Sequence, residues 1–145
     1  MESTELAETF LTLLRENRRS VLENFGKMLK ADHIAMEKLR HHGNRALPGD
    51  LSSALQNSGP RMSSLLSDLE NRGYITREAD VHDRRRVLVH LTEHGKRHTA
   101  IKERYLIHRV GNALARMGET QAEQFVALFG QFLSAAKEEM EVEAF

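Results

Sequence analysis

Apolar residues recur along most of the chain at three- and four-residue steps, the period of an amphipathic helix, and a few glycines, prolines and one alternating stretch interrupt them. Leu6, Phe10, Leu13, Leu14, Val21, Leu22 and Phe25 predict a first helix from Thr4 to Phe25, with Gly26 as its stop. A second is predicted from about Asp32, a suitable N-cap, through Ile34, Met36 and Leu39 to His42, with Gly43 ending it. Pro48-Gly49-Asp50 then opens a short apolar-periodic segment containing Leu51, Ala54 and Leu55. Asn57-Ser58-Gly59-Pro60 interrupts it, and Met62, Leu65, Leu66 and Leu69 mark the next helix. Ser58 can cap that helix, Pro60 falls in its first turn where a missing N–H costs little, and Gly73 ends it.

The period then changes. Tyr74-Ile75-Thr76-Arg77 and Val87-Leu88-Val89-His90-Leu91 are runs of β-branched and aromatic residues that read as a hairpin. Their connection, Glu78 to Arg86, is longer and more charged than a loop that merely reverses a chain. Thr92 is a good N-cap for a long helix carrying Ile101, Tyr105, Val110, Ala113 and Leu114. After a break at Met117-Gly118, Thr120-Gln121-Ala122-Glu123 reads as a capping box for a last helix with Phe125, Val126, Leu128, Phe129, Phe132 and Leu133, which dissolves into an acidic end. Helix, short Gly-containing turn, helix is the helix-turn-helix pattern, and a hairpin attached to it is a wing. The expected fold is α+β and mostly helical, with about six helices and a two-stranded β-wing in a single domain spanning 1–145. Residues 31–97 would form the winged helix-turn-helix lobe, and 1–30 and 98–145 the flanking helices.

Composition changes this picture little, and charge changes it more. At 145 residues with 40% hydrophobic and 29% charged, one core can form and wholesale disorder is excluded. The absence of cysteine excludes disulfides, thiolate metal sites, cysteine nucleophiles and thiol switches. No apolar run approaches the ~20 residues that span a bilayer and no signal peptide is evident, so a cytoplasmic protein without membrane contact is expected. The 21 Lys+Arg balance 21 Asp+Glu, which would argue against a polyanionic partner. Along the chain they separate: residues 36–116 carry fifteen basic against nine acidic residues, and residues 117–145 one against six. The zero therefore averages a basic middle with an acidic tail.

Two constellations carry candidate chemistry. With Met62, Leu65, Leu66 and Leu69 inward, the helix after Ser58 and Pro60 leaves Arg61, Ser63, Ser64, Ser67 and Asp68 on its other faces. Short hydroxyls and guanidinium forks read base edges in a major groove, whereas a merely solvated helix favours Glu, Lys and Gln over the poor helix former serine. The second is Arg84-Arg85-Arg86 beside Asp83 in the projecting loop. Three adjacent guanidinium groups repel one another unless a polyanion arrives, and an arginine there can enter a narrow minor groove while Asp83 orients it. A solvated charge run is the bland alternative. The two together, at wing distance, point to duplex DNA.

Residues from about 47 to 97 resemble the winged helix of the MarR family of bacterial transcriptional regulators, most diagnostically in Asp83-Arg84-Arg85 followed by Leu91-Thr92-Glu93-His94-Gly95. The resemblance implies a recognition helix beginning at Ser58, with Arg61, Ser63, Ser64 and Ser67 toward bases or phosphates and Pro60 at its head. It implies Arg85 in the minor groove supported by Asp83, with Arg84 and Arg86 near phosphates. Gly59-Pro60-Arg61 departs from the small hydroxyl residues common there, which leaves the target sequence open. The terminal helices carry more Phe and Leu than the small lobe can cover, so a homodimer on a pseudo-palindromic site is expected. Repression follows from family habit. So does release by a small aromatic or lipophilic effector, for which Phe25, His33, Met36 and Tyr105 are the candidate contacts.

Other classes fare worse. His94 and His98, spaced i, i+4, could share a divalent ion with Glu93, and zinc-sensing relatives place a histidine where His33 sits, but their partner residues do not appear at matching positions. No metal or cofactor is expected. There is no Gly-rich phosphate loop, no Gly-x-Ser-x-Gly turn and no cysteine, so the chain is not expected to be an enzyme. The alternatives are a winged helix used for protein contact and a zinc-responsive regulator.

Overall fold

The computed structural model describes residues 2–56 and 59–142. The first predicted helix is divided: α1 (Ser3–Glu16) and α2 (Glu23–Met28) are separated by a π-helical turn, Arg18–Leu22. Its origin is Asn17, whose side-chain amide donates to the Leu13 carbonyl at 2.9 Å, the same oxygen its own N–H reaches at 3.2 Å. Leu22 N–H then bonds five residues back to the Asn17 carbonyl. A short amide competing for helix carbonyls widens the turn. Gly26 does not stop this segment but lies inside α2.

The N-cap of α3 (Ala31–His41) is Lys30, not Asp32 as expected; Asp32 sits in the first turn, where its carboxylate accepts the His33 N–H at 2.8 Å. Gly43, at φ +76°, lets the Asn44 N–H reach back to the Leu39 carbonyl at 2.8 Å and closes the helix. Strand β1 (Arg45–Ala46) and α4 (Pro48–Leu55) follow, with Pro48 in the first turn of α4 and Gln56 in the left-handed region after it. Ala54, expected on the apolar face, is exposed. Helix α5 spans Gly59–Asn71; its expected cap Ser58 lies outside the described residues. Gly73, at φ +77°, ends α5 with the Tyr74 N–H on the Leu69 carbonyl at 3.0 Å.

The hairpin forms as β2 (Ile75–Ala79) and β3 (Val87–Leu91), with Ile75 opposite Leu91 and Ala79 opposite Val87. β1 adds a third strand on the other edge of β3, in the order β1-β3-β2. Two residues are too few to leave a periodic signal, which is why only a two-stranded wing was legible. Ile75, Val89 and Leu91 meet Met36, Leu39, Leu51, Met62, Leu66 and Leu69 in one core. Burying a Leu, Ile or Met side chain contributes about 1.5–3 kcal/mol, so this cluster is the main source of the lobe's stability. Helix α6 (Glu93–Met117) starts where expected. Thr92 Oγ1 accepts the Gly95 N–H at 3.0 Å and donates to the Gly73 carbonyl at 2.6 Å, tying the helix start to the end of α5.

The described residues divide between Lys102 and Glu103 into two compact units, and the core belongs to the first. In the second, Gly118 turns the chain at φ +87° and α7 (Glu119–Val142) begins one residue before Thr120, with the Ala122 N–H on the Gly118 carbonyl at 2.9 Å. The expected capping box thus lies inside the helix. Glu138, Glu139 and Glu141 of the acidic end continue α7, which runs through Val142, with Lys137 and Glu141 paired at i, i+4; Glu143 lies outside the described residues. Among the described residues no helix is long and apolar enough to cross a membrane.

Candidate nucleic-acid interface

The buried stripe of α5 is Met62, Leu66 and Leu69, with Leu65 half-buried. Helical spacing divides the polar remainder in two. Ser63, Ser67 and Glu70, at i, i+4 and i+7, lie beside β2, while Ser64 and Asp68 form the other edge. Pro60, Arg61, Ser63 and Ser64 are exposed. Ser67 is half-buried, and Arg77 of β2 donates to its hydroxyl at 3.4 Å and to Glu70 Oε1 at 2.9 Å. Ser67 therefore lies against the wing strand, and the Arg77 hydrogen bond holds the Glu70 carboxyl below its usual titration range.

The wing tip is a built turn. Asp80 N–H donates to the Arg86 carbonyl and Arg86 N–H to the Asp83 carbonyl, both at 2.9 Å, so Arg84 and Arg85 occupy the corner. Asp80 accepts the His82 N–H at 3.1 Å, and Asp83 Oδ1 accepts the Arg85 N–H at 3.1 Å and its Nε at 3.3 Å. The Arg85 side chain is 92% exposed. A pair so exposed adds little stability. Its effect is directional: Asp83 orders the backbone under Arg85 and restricts the angle at which the guanidinium projects. Arg84 and Arg86 are exposed on either side.

Behind these surfaces lies a network without a local sequence signal, because its members are far apart in the chain. Arg72 Nη2 donates to Asp32 at 3.0 Å and pairs with Asp68 at 2.6 Å, and its guanidinium lies 5.3 Å from the Tyr74 ring centre. Burial works against the Asp32 carboxylate, but the Arg72 and His33 hydrogen bonds outweigh it and lower its pKa. The Tyr74 ring stacks against both His94 at 4.9 Å and His98 at 4.4 Å, and His98 faces His33 at 6.1 Å. Burial, then Lys102, lowers the pKa of both His33 and His98. His94 and His98 lie side by side with ring centres 6.5 Å apart, but among the described residues no group of three potential ligands is arranged for a metal.

Of the candidate effector contacts, Phe25 is exposed on α2, while Met36 is fully buried in the core. His33 is 8% exposed, and its Nδ1 finds no hydrogen-bond partner. Tyr105 belongs to the second unit, where it is exposed and lies 5.7 Å from the Arg109 guanidinium.

The MarR family model matches residues 31–86. The transcriptional repressor MprA of Escherichia coli (strain K12) is 34% identical over 128 residues, covering 81% of this chain and 73% of MprA. Among solved structures, YusO from Bacillus subtilis superposes with a TM-score of 0.71 at 16% identity, over 93% of this chain and 99% of that one. A variant of S. aureus MepR bound to an oligodeoxyribonucleotide gives a TM-score of 0.59 at 23% identity, over 94% and 99%. At these identities the two structures speak for the fold, and MprA for the relationship.

Proposed function

Because the chain belongs to the MarR family of transcriptional regulators and is not an enzyme, we propose that it is a repressor that binds duplex DNA as a homodimer. Residues 31–97 form the reading lobe, and 1–30 with 98–145 the dimerisation helices. α5 enters the major groove, with Arg61, Ser63 and Ser64 at base edges or phosphates and Ser58, Pro60 and Ser67 along the same contact surface. Arg85 enters the minor groove, and Arg84 and Arg86 neutralise phosphates on either side. The observation that carries this reading is the wing-tip turn, in which Asp83 orders an otherwise solvent-exposed Arg85 beside two further arginines.

Dimerisation draws support from the apolar faces at the two chain ends. Phe125, Val126, Leu128, Phe129, Phe132 and Leu133 of α7 are 44–62% exposed, and Leu6, Leu11 and Leu13 of α1 are exposed as well. Apolar surface of this extent costs free energy in water and favours a second copy. A two-fold dimer would present its recognition helices about one DNA turn apart. Release by a small aromatic or lipophilic compound is the further part of the reading. Contact with His33 and Met36 would require opening their present packing, so such a ligand must favour a different conformation of the lobe.

The test is titration of the purified protein against a random duplex pool at several salt concentrations. Binding should weaken steeply with salt, as counterion release requires. A protein that binds no duplex at low salt would instead be a winged helix adapted to protein contact.

A further inference from the structure

Arg77 is an arginine on the inward face of a strand. β2 alternates, so Arg77 points to the same side as Ile75, which is buried in the core against α5. Cross-strand it stands opposite Val89, fully buried on β3. An apolar residue would continue the core here. Instead the guanidinium reaches α5, where it bonds Glu70 at 2.9 Å and Ser67 at 3.4 Å. Arg77 lines a cleft of about 290 Å³ with Met62, Ser63, Leu66 and Val87. The core ends at this level, since Ala79 and Val87, one pair further out, are both exposed. Arg77 is thus an inward-facing connection between α5 and the wing at the level where the core ends.

We propose that Arg77 is a positioning residue that fixes the wing relative to the recognition helix, so that the minor-groove and major-groove contacts fall in one register. This rests on the DNA-binding reading above. A guanidinium with two acceptors on one helix restrains direction as well as distance, which a single apolar contact would not. Glu70 answers the charge, so Arg77 is engaged within the protein rather than offered to a phosphate. Ser67, at the edge of the proposed DNA-contact surface, is the second acceptor of the clamp. Minor-groove contacts by Arg85 depend on where the hairpin tip lies, and an error near 1 Å there is costly to recognition.

Arg77→Gln and Glu70→Gln separate this role from direct DNA contact. Each should reduce affinity for a duplex selected by the unaltered protein about tenfold, while affinity for unrelated duplex and the salt slope stay unchanged. The double variant should be no worse than either single one, because both remove the same clamp. Hydroxyl-radical footprints should lose minor-groove protection where the wing lies, while guanine N7 protection under α5 persists. The charge exchange Glu70→Arg with Arg77→Glu should restore part of the lost affinity. Retained far-UV dichroism and melting temperature in Glu70→Gln exclude simple unfolding. The proposal is overturned if Arg77→Gln weakens all duplexes alike and lowers the salt slope by about one, the signature of a phosphate contact. It is also overturned if Glu70→Gln tightens binding, or if neither variant changes it. If the unaltered protein binds no duplex, the underlying DNA reading fails and this inference with it.

Discussion

Gly95, in the first turn of α6, lies so close to the carbonyl of Tyr74 that a Cβ built on it would fall deep inside van der Waals contact with that oxygen. The approach brings the start of α6 onto the end of α5, and Thr92 secures it by bonding both Gly95 and Gly73. The neighbouring atom is backbone and cannot swing aside, so Gly95→Ala should destabilise the reading lobe by about 3 kcal/mol. Thr92→Val, which removes the cap, should cost about 1–2 kcal/mol. Urea unfolding followed by circular dichroism would measure both, and an alanine tolerated at 95 would contradict the packing described.

Arg85→Ala should weaken binding to selected and unrelated duplexes alike, by about tenfold for the selected one, and lower the salt slope by about one. Asp83→Asn, which keeps shape but weakens the pairing, should affect the selected duplex more than the unrelated one. Fluorescence anisotropy at three or more salt concentrations distinguishes the two. Equal affinity and slope for Arg85→Ala and the unaltered protein would remove the wing from the interface.

The histidines near Tyr74 make stability depend on pH. His33 and His98 have lowered pKa values because burial disfavours the imidazolium; Lys102 and Arg72 oppose the charge on both, and His33 and His94 oppose it on His98, while Asp32 and Glu37 favour it on His33. As pH falls below about 6.5, the unfolded chain takes up protons the folded chain resists, so stability drops. The loss levels off once the folded imidazoles titrate too. The lowered carboxylates Asp32, Glu70 and Glu93 lose their contribution at more acidic pH, beginning as pH falls through the ordinary carboxylate range and ending below their own lowered values. Melting temperatures between pH 5 and 8 should therefore fall on acidification, and less so in His33→Gln; a flat profile for the unaltered protein would refute this.

The helix-turn-helix and the hairpin were legible because Leu51, Met62, Leu66, Leu69 and Val89 keep their periods and Gly43, Gly73 and Thr92 punctuate them in the expected way. Most of what could not be read was non-local. Asp32 has the composition of an N-cap, yet its carboxylate is taken by Arg72, forty residues on. Arg77 looks like an ordinary strand residue until β2 is placed against α5. Asn17 disturbs the first helix through a side-chain bond that competes with the backbone, which periodicity does not register. Ser67 belongs to the polar set of α5 by spacing, but only the position of the wing shows that it is half-buried.

The apolar face of α7 predicts its own test. Phe125 and Phe129 stack at 5.7 Å between ring centres and are both 45% exposed. Phe125→Glu together with Phe129→Glu should shift the protein from dimer to monomer in sedimentation velocity and reduce DNA affinity, because one lobe alone engages half a site. A mass of one chain for the unaltered protein at micromolar concentration would contradict dimerisation.

Selection of bound sequences from a random duplex library tests the central claim most directly, since it reads DNA binding, symmetry and spacing at once. An inverted repeat with half-sites about one helical turn apart is the expected result, with an A·T-rich narrow minor groove where Arg85 would lie. Enrichment of no sequence above the starting library, or of a single unpaired half-site, would contradict it.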